Sequence, residues 1–187
     1  MTTTTVKQPN AIRSAIIMMF NPGEVLKNSI SHIKWPFSLG ISMTAFMLFF
    51  FQTGLDLLRT GQKSFPFVLL LVLEGALFGI FGVGLLAALA WILAKLFRGD
   101  KTLSWVVTAF GLSYCSSLIY GLLGLIAAFV LNWNTSIAFG VTGVLWATGP
   151  IISTIREMLR GKMMISIIIA TICSSLLLCG WSLLGNM

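Results

Sequence analysis

Chemistry inside a membrane needs ionisable groups within apolar stretches, and this chain has few of them. Glu74 follows the apolar run 67–73, and Asp56 falls late in an earlier apolar run. Arg59 and Lys63 lie between these two carboxylates. A charge in hydrocarbon is costly, so it marks either a paired charge or a path for ions or protons. Two readings follow. In the structural one the four residues form an ion-pair cluster, with Asp56 on Arg59 at i, i+3 and Glu74 on Lys63 or Arg59. In the functional one Glu74 is a proton or cation site in a small transporter or channel. Glu74 is nine residues past Phe65, about 14 Å along a helix, which predicts a position near the outer boundary of the bilayer.

No other constellation rises to a catalytic set. His32 is the only histidine and sits beside Lys34 with no cluster of metal-ligating side chains around it. A metal site needs several ligands. Cys115, Cys173 and Cys179 lie in apolar runs that hold no basic residue to activate a thiol. The chain has no P-loop, no dinucleotide-binding glycine pattern, no zinc-protease motif and no Gly-x-Ser-x-Gly. Arg98-Gly99-Asp100 and Asn134-Thr135-Ser136 match short motifs by letters only. A non-enzymatic protein without cofactor or metal is expected.

The elements that must position these residues follow from composition. Charged residues make up 9% of the chain and apolar ones 57%, with a mean hydropathy of +0.98. A soluble domain carries roughly 25% charged residues, and disorder requires low hydrophobicity. Three cysteines do not make a disulfide scaffold. Five apolar runs are long enough to cross hydrocarbon about 30 Å thick. They cover 35–58, 65–97, 103–131, 135–155 and 163–184. Each must be helical, because lipid offers no partner to a free backbone amide. The expected fold class is an all-α integral membrane protein, a bundle of five transmembrane helices. The second run exceeds one perpendicular span, which predicts tilt plus protrusion, with a break near Gly79, Gly82 and Gly84 as the alternative. Gly149-Pro150 predicts a kink at Pro150 in the fourth span, with Thr148 or Ser153 bonding the freed carbonyls. Gly75 with Gly79, and Gly84 with Ala88, form small-xxx-small pairs. Such pairs serve close packing within the bundle or a face for another subunit.

Orientation comes from the cations. Lys7, Arg13, Lys27, Lys34, Lys95, Arg98, Lys101, Arg156, Arg160 and Lys162 fall on one side of the spans, against Arg59 and Lys63 on the other. Positive loops stay inside. The expected location is a bacterial cytoplasmic membrane, with the N-terminus cytoplasmic and the C-terminus outside. The net charge of +7 is then topological, and no dense basic patch points to nucleic acid. Trp35 and Trp105 are expected at the inner interface, Trp133 and Trp181 at the outer one, and Trp91 and Trp146 deeper, in packing. No cleavable signal peptide is expected, because Arg13, Asn21, Pro22 and Glu24 interrupt the first apolar residues.

Residues 1–10 are polar and are expected to form a disordered tail. Residues 11–34 form an amphipathic segment. Asn21-Pro22-Gly23-Glu24 reads as a helix start. After it Val25, Leu26, Ser29, Ile30 and Ile33 share a face, with Lys27, Asn28, Ser31 and Lys34 mainly opposite. Such a helix lies in the cytoplasmic interface, with Lys27, Lys34 and Trp35 against lipid headgroups. The alternative is a helix packed on the bundle.

Three stretches resemble the bacterial branch of the Yip (Ypt-interacting protein) family. The first is Phe20-Asn21-Pro22 before the amphipathic helix. The second is 93–100 leading to Phe110-Gly111-Leu112-Ser113-Tyr114, and the third is 146–157 with its charged turn before 163–170. The resemblance implies a cytoplasmic N-terminal region, five helices and an accessory role. Some bacterial relatives stand beside ABC exporters that protect against antimicrobial peptides. The partners implied are membrane lipids and another integral membrane protein or a second copy, with turns 98–101 and 156–162 facing a cytoplasmic partner.

Overall fold

The computed structural model describes residues 10–184, so residues 1–9 of the expected tail lie outside the described residues. The chain is 86% helical and has no strand among the described residues, which makes it an all-α bundle. Two short helices come first, α1 (Ala11–Phe20) and α2 (Pro22–Asn28). The first long helix is α3 (Trp35–Arg59). The second comprises α4 (Phe65–Leu77), a π-helical turn at Phe78–Gly82 and α5 (Val83–Leu96). The third comprises α6 (Leu103–Ser113) and α7 (Cys115–Leu131). Then follow α8 (Ser136–Met158) and α9 (Met163–Leu184). Five helices, counting α4–α5 and α6–α7 once each, are long and apolar enough to cross a membrane. The protein is a multi-pass membrane protein.

Helix α3 is the axis, packed along α4, α6 and α7. Glycines let its neighbours touch its backbone. A Cβ at Gly79 would lie 2.6 Å from the Ser42 carbonyl oxygen, one at Gly75 2.7 Å from that of Phe46, and one at Gly111 2.6 Å from that of Ser38. Lipid tails are as apolar as leucine, so close backbone contact is what brings membrane helices together. Gly75 and Gly79 therefore serve contact within the chain. Gly84 meets nothing within 4 Å, and Ala88 is half-buried.

The second span is one continuous helix. Its glycine run takes a π turn in place of a break, and Ser42 Oγ donates to the Gly79 carbonyl of that turn at 2.8 Å. The third span has an interruption that its apolar run does not announce. Tyr114 adopts φ −85° and ψ 9° between α6 and α7, and its buried ring meets Phe46 edge-on at 5.3 Å. In α8 the helix continues through Pro150. Thr148 bonds the Val144 carbonyl, Ser153 that of Gly149 and Thr154 that of Pro150. None of these is the Trp146 carbonyl, which loses its partner to the proline. Hydroxyls on a helix reach the carbonyl four residues back, which decides their partners.

Phe46, Phe49, Phe50, Tyr114, Ile151 and Ile155 fill the main core. A second core corrects the expectation that α2 lays its apolar face in lipid. Val25, Leu26, Ile30 and Ile33 join Ala15 and Met18 of α1 against Ala109, Leu112 and Cys115 of α6–α7. Protein covers that face, while Ile12, Ile16 and Phe20 of α1 form an outward apolar stripe at i, i+4, i+8. Lys27, Lys34 and Trp35 are exposed.

Candidate functional site: a polar seam and the cavity beside it

Away from the N-terminal helices, the far half of α3 carries Gln52, Asp56 and Arg59 at i, i+4, i+7, on one helical face. Gln52 is fully buried, and its Nε2 donates to the Gly121 carbonyl at 2.8 Å. The Thr135 hydroxyl sits 3.4 Å from Gln52 Oε1 and 3.1 Å from the Gly124 carbonyl. Gly124 is required there, since a side chain would collide with the Gln52 amide.

One turn on, Asp56 Oδ2 accepts from the backbone N–H of Ser136 at 3.0 Å, the first residue of α8. Arg59 Nη2 donates to the Ala128 carbonyl at 2.7 Å and Nη1 to that of Trp133 at 3.0 Å. Between them Asn132, at φ 57°, ends α7 in the left-handed conformation. The C-terminal end of a helix is a partial negative charge and the N-terminal end a partial positive one. The guanidinium thus serves the carbonyl end of α7, and the carboxylate serves the amide end of α8. Such end groups have no partner within their own helix.

This corrects the expected Asp56–Arg59 ion pair, because both side chains are committed to helix ends. No ion pair joins Glu74 to Lys63 or Arg59 among the described residues. Lys63 Nζ lies 4.4 Å over the Phe67 ring. Glu74 stands apart from the other three. Its neighbour Gly75 abuts Phe46 and Met47, which are central in the 25-residue α3. Glu74 is therefore at mid-height, about 17 Å from the start of α3. The expected position near the outer boundary is corrected, because the register of α4 on α3 sets the depth. Glu74 is half-buried on the flank of an outward face that exposes Leu70, Leu73, Leu77 and Phe81. It makes no hydrogen bond or ion pair among the described residues.

Beside the seam, α3, α8 and α9 border an open-sided cavity of about 500 Å³, lined among others by Thr53, Asp56, Leu57, Ser136, Val141 and Trp181. Two buried polar atoms of its lining residues have no hydrogen-bond partner, Asp56 Oδ1 and Trp181 Nε1. Trp181, near the end of α9, is 9% exposed, and its ring packs on Gly140, where a Cβ would come within 2.6 Å. Trp146, expected in deeper packing, is 47% exposed beside Tyr120. Small residues Gly140, Gly143 and Ala147 turn inward on α8, and Trp146 falls off that stripe.

At the other end of the bundle the loops hold each other. Lys101 pairs with Glu157 at 3.4 Å, and Arg160 lies 3.9 Å from Asp100. Trp91 Nε1 donates to the Lys101 carbonyl at 3.0 Å. Turns 98–101 and 156–162, expected to face a partner, thus contact one another. His32 is exposed, and no three His, Cys, Asp or Glu side chains converge as a metal site among the described residues.

Sequence reasoning passed over Gln52 and Gly111 as contact residues; Gly121 and Gly124 were expected to serve close helix packing, and both lie against α3. The signal for Gln52 was available: a lone amide in an apolar span, in helical register with Asp56 and Arg59.

Fold and seam together define a multi-pass, all-α membrane protein in which polar side chains of α3 bond the backbone of α7 and α8. Compared with protein-family models, curated proteins and solved structures, the chain matches none. The Yip resemblance rests on the stretches quoted above.

Proposed function

We propose that this is a non-enzymatic accessory or assembly subunit of a larger membrane complex, docked through the outward face around Glu74. One observation carries the reading. A carboxyl group at mid-height, beside an exposed apolar face, has no partner in its own chain among the described residues. Such a group is costly in hydrocarbon and is relieved by a neighbouring helix that offers a basic or hydrogen-bonding side chain. The partner is a helix of another protein, since a two-fold contact on this face would set Glu74 against Glu74. An ABC exporter in envelope or antimicrobial-peptide defence is the kind of complex the Yip resemblance suggests. The asymmetry of the cations supports a bacterial cytoplasmic membrane with the N-terminus inside and the C-terminus outside.

The rival reading, transport through Glu74, needs that carboxyl at a wet cavity. Glu74 lines neither the cavity of about 500 Å³ nor the groove of about 560 Å³ beside Trp35. The test is a pull-down of the tagged protein from its native membrane in nanodiscs, followed by mass spectrometry. A stoichiometric membrane partner is expected, lost on Glu74→Leu and kept on Gly84→Leu. A protein recovered alone, or as a homo-oligomer, overturns the reading and brings ion-flux assays on Glu74→Gln forward.

A further inference from the structure

We propose that the junction of the turns around Arg98 and Arg160 seats one anionic phospholipid with two phosphates, in the leaflet at the end of the bundle where α5 stops and α9 begins. Contacts tie the two turns together. Arg160 Nη2 lies 3.9 Å from Asp100 Oδ2, and Lys162 Nζ lies 5.8 Å from the centre of the Phe97 ring. Arg98 stands between Phe97 and Asp100 in the same turn. Three cations thus gather at one place against a single carboxylate. The surplus is two positive charges, which two phosphates match. All three cations are exposed and open to a ligand. The Arg160 and Asp100 side chains are 70% and 54% exposed, and so open a pair is weak. The Arg160 guanidinium is therefore available to a phosphate, which it can hold through two parallel bonds.

The turns themselves do not call for arginine. Arg98 and Arg160 each follow the C-cap of a helix, with left-handed φ of 63° and 53°. Glycine is the usual residue at that position, and a glycine follows each arginine, at 99 and 161. The surroundings select a lipid over a soluble anion. Leu96 and Phe97 precede Arg98, Met163 and Met164 follow Lys162, and all four are exposed. Cations beside exposed apolar side chains at the ends of two spans suit a headgroup with its acyl chains, and basic pockets between spans bind diphosphate lipids in this way. The site is independent of the Glu74 face, which lies at mid-height.

The test is native mass spectrometry of the full chain released from micelles doped with one lipid at a time. The lipids are cardiolipin, with two phosphates, phosphatidylglycerol, with one, and phosphatidylethanolamine, a zwitterion. Wild type is expected to retain one cardiolipin and to hold the other two at least about tenfold less well. Arg98→Gly and Arg160→Gly suit the left-handed turns and should fold. Each is expected to lower cardiolipin retention about fivefold, and the two together at least about tenfold. Lys162→Gln leaves both left-handed positions intact and is expected to lower retention too, which decides the matter should the glycine variants fail to fold. Lys34→Ala removes an exposed cation at the start of α3 and is expected to change little. Equal retention of phosphatidylglycerol overturns the proposal, as does unchanged retention in the double glycine variant or in Lys162→Gln. A loss on Lys34→Ala as large as on Arg160→Gly shows diffuse charge without a site and overturns it as well. An oligoglutamate peptide that displaces cardiolipin at equal concentration shows a site for an acidic protein segment and overturns the lipid.

Discussion

The two halves of α3 are held in different ways. In the half that follows Trp35, neighbouring helices reach its backbone because Gly75, Gly79 and Gly111 have no side chain. In the half that ends at Arg59, side chains reach out: Gln52 bonds a mid-helix carbonyl of α7, and Asp56 and Arg59 bond the ends of α8 and α7. The first half works by close backbone approach, and the second by side chains that bond the backbone of neighbouring helices. Exclusion brings backbones together there, with a groove of about 560 Å³ beside Trp35 and Leu39 on the flank. Satisfaction is incomplete, and the leftover atoms, Asp56 Oδ1 and Trp181 Nε1, belong to residues lining a cavity. A helix can thus be packed backbone to backbone over one stretch and bonded through its side chains over the next.

The sharpest way to break this contrast is to add volume to the half packed on glycines. Gly79→Leu and Gly111→Leu should each cost about 3 kcal/mol or more, or abolish folding, because a backbone carbonyl cannot step aside. Thermal unfolding in detergent reads this, with Gly84→Leu as a control in open space that should change little. A mild effect at Gly79 would mean that the seam is looser than its contacts imply.

In the polar half the losses should be smaller and graded. Gln52→Leu removes the bond to Gly121 and should cost about 1–2 kcal/mol in the same assay, the upper range for interhelical hydrogen bonds in membranes. Arg59→Met should cost about 1 kcal/mol and raise hydrogen exchange at the end of α7 before that of the bundle as a whole. If Arg59→Met instead unfolds the protein cooperatively with a large loss, the two halves do not differ in kind.

The smallest effect should come from the ion pair between loops. A double-mutant cycle of Lys101→Ala and Glu157→Ala should return about 0.5 kcal/mol or less, since both side chains are partly exposed. A coupling larger than the Gln52 effect would place the stabilising polar contacts at the wrong end of α3.

Some of this was legible in the chain and some was not. The five spans could be read because each must satisfy its own backbone within itself, so a run such as 163–184 declares its state without reference to any neighbour. The helix start at Pro22 was legible for the same local reason. The π turn in place of a break was not, because it depends on Ser42 reaching the Gly79 carbonyl from another helix. The local i, i+3 rule paired Asp56 with Arg59. The ends of α7 and α8, some 70 to 80 residues away, claimed both side chains. Trp146 is exposed where packing was expected, because small residues on α8 decide which face turns inward.

The sequence by itself determined that this is an all-α membrane protein with five spans, because hydrophobic length and internal hydrogen bonding are properties of a segment. The tertiary structure alone decided which glycines are buried, where Glu74 sits in depth and which polar atoms go unpaired. Those depend on the register of one helix against another, and register is set by contacts between residues far apart in the chain.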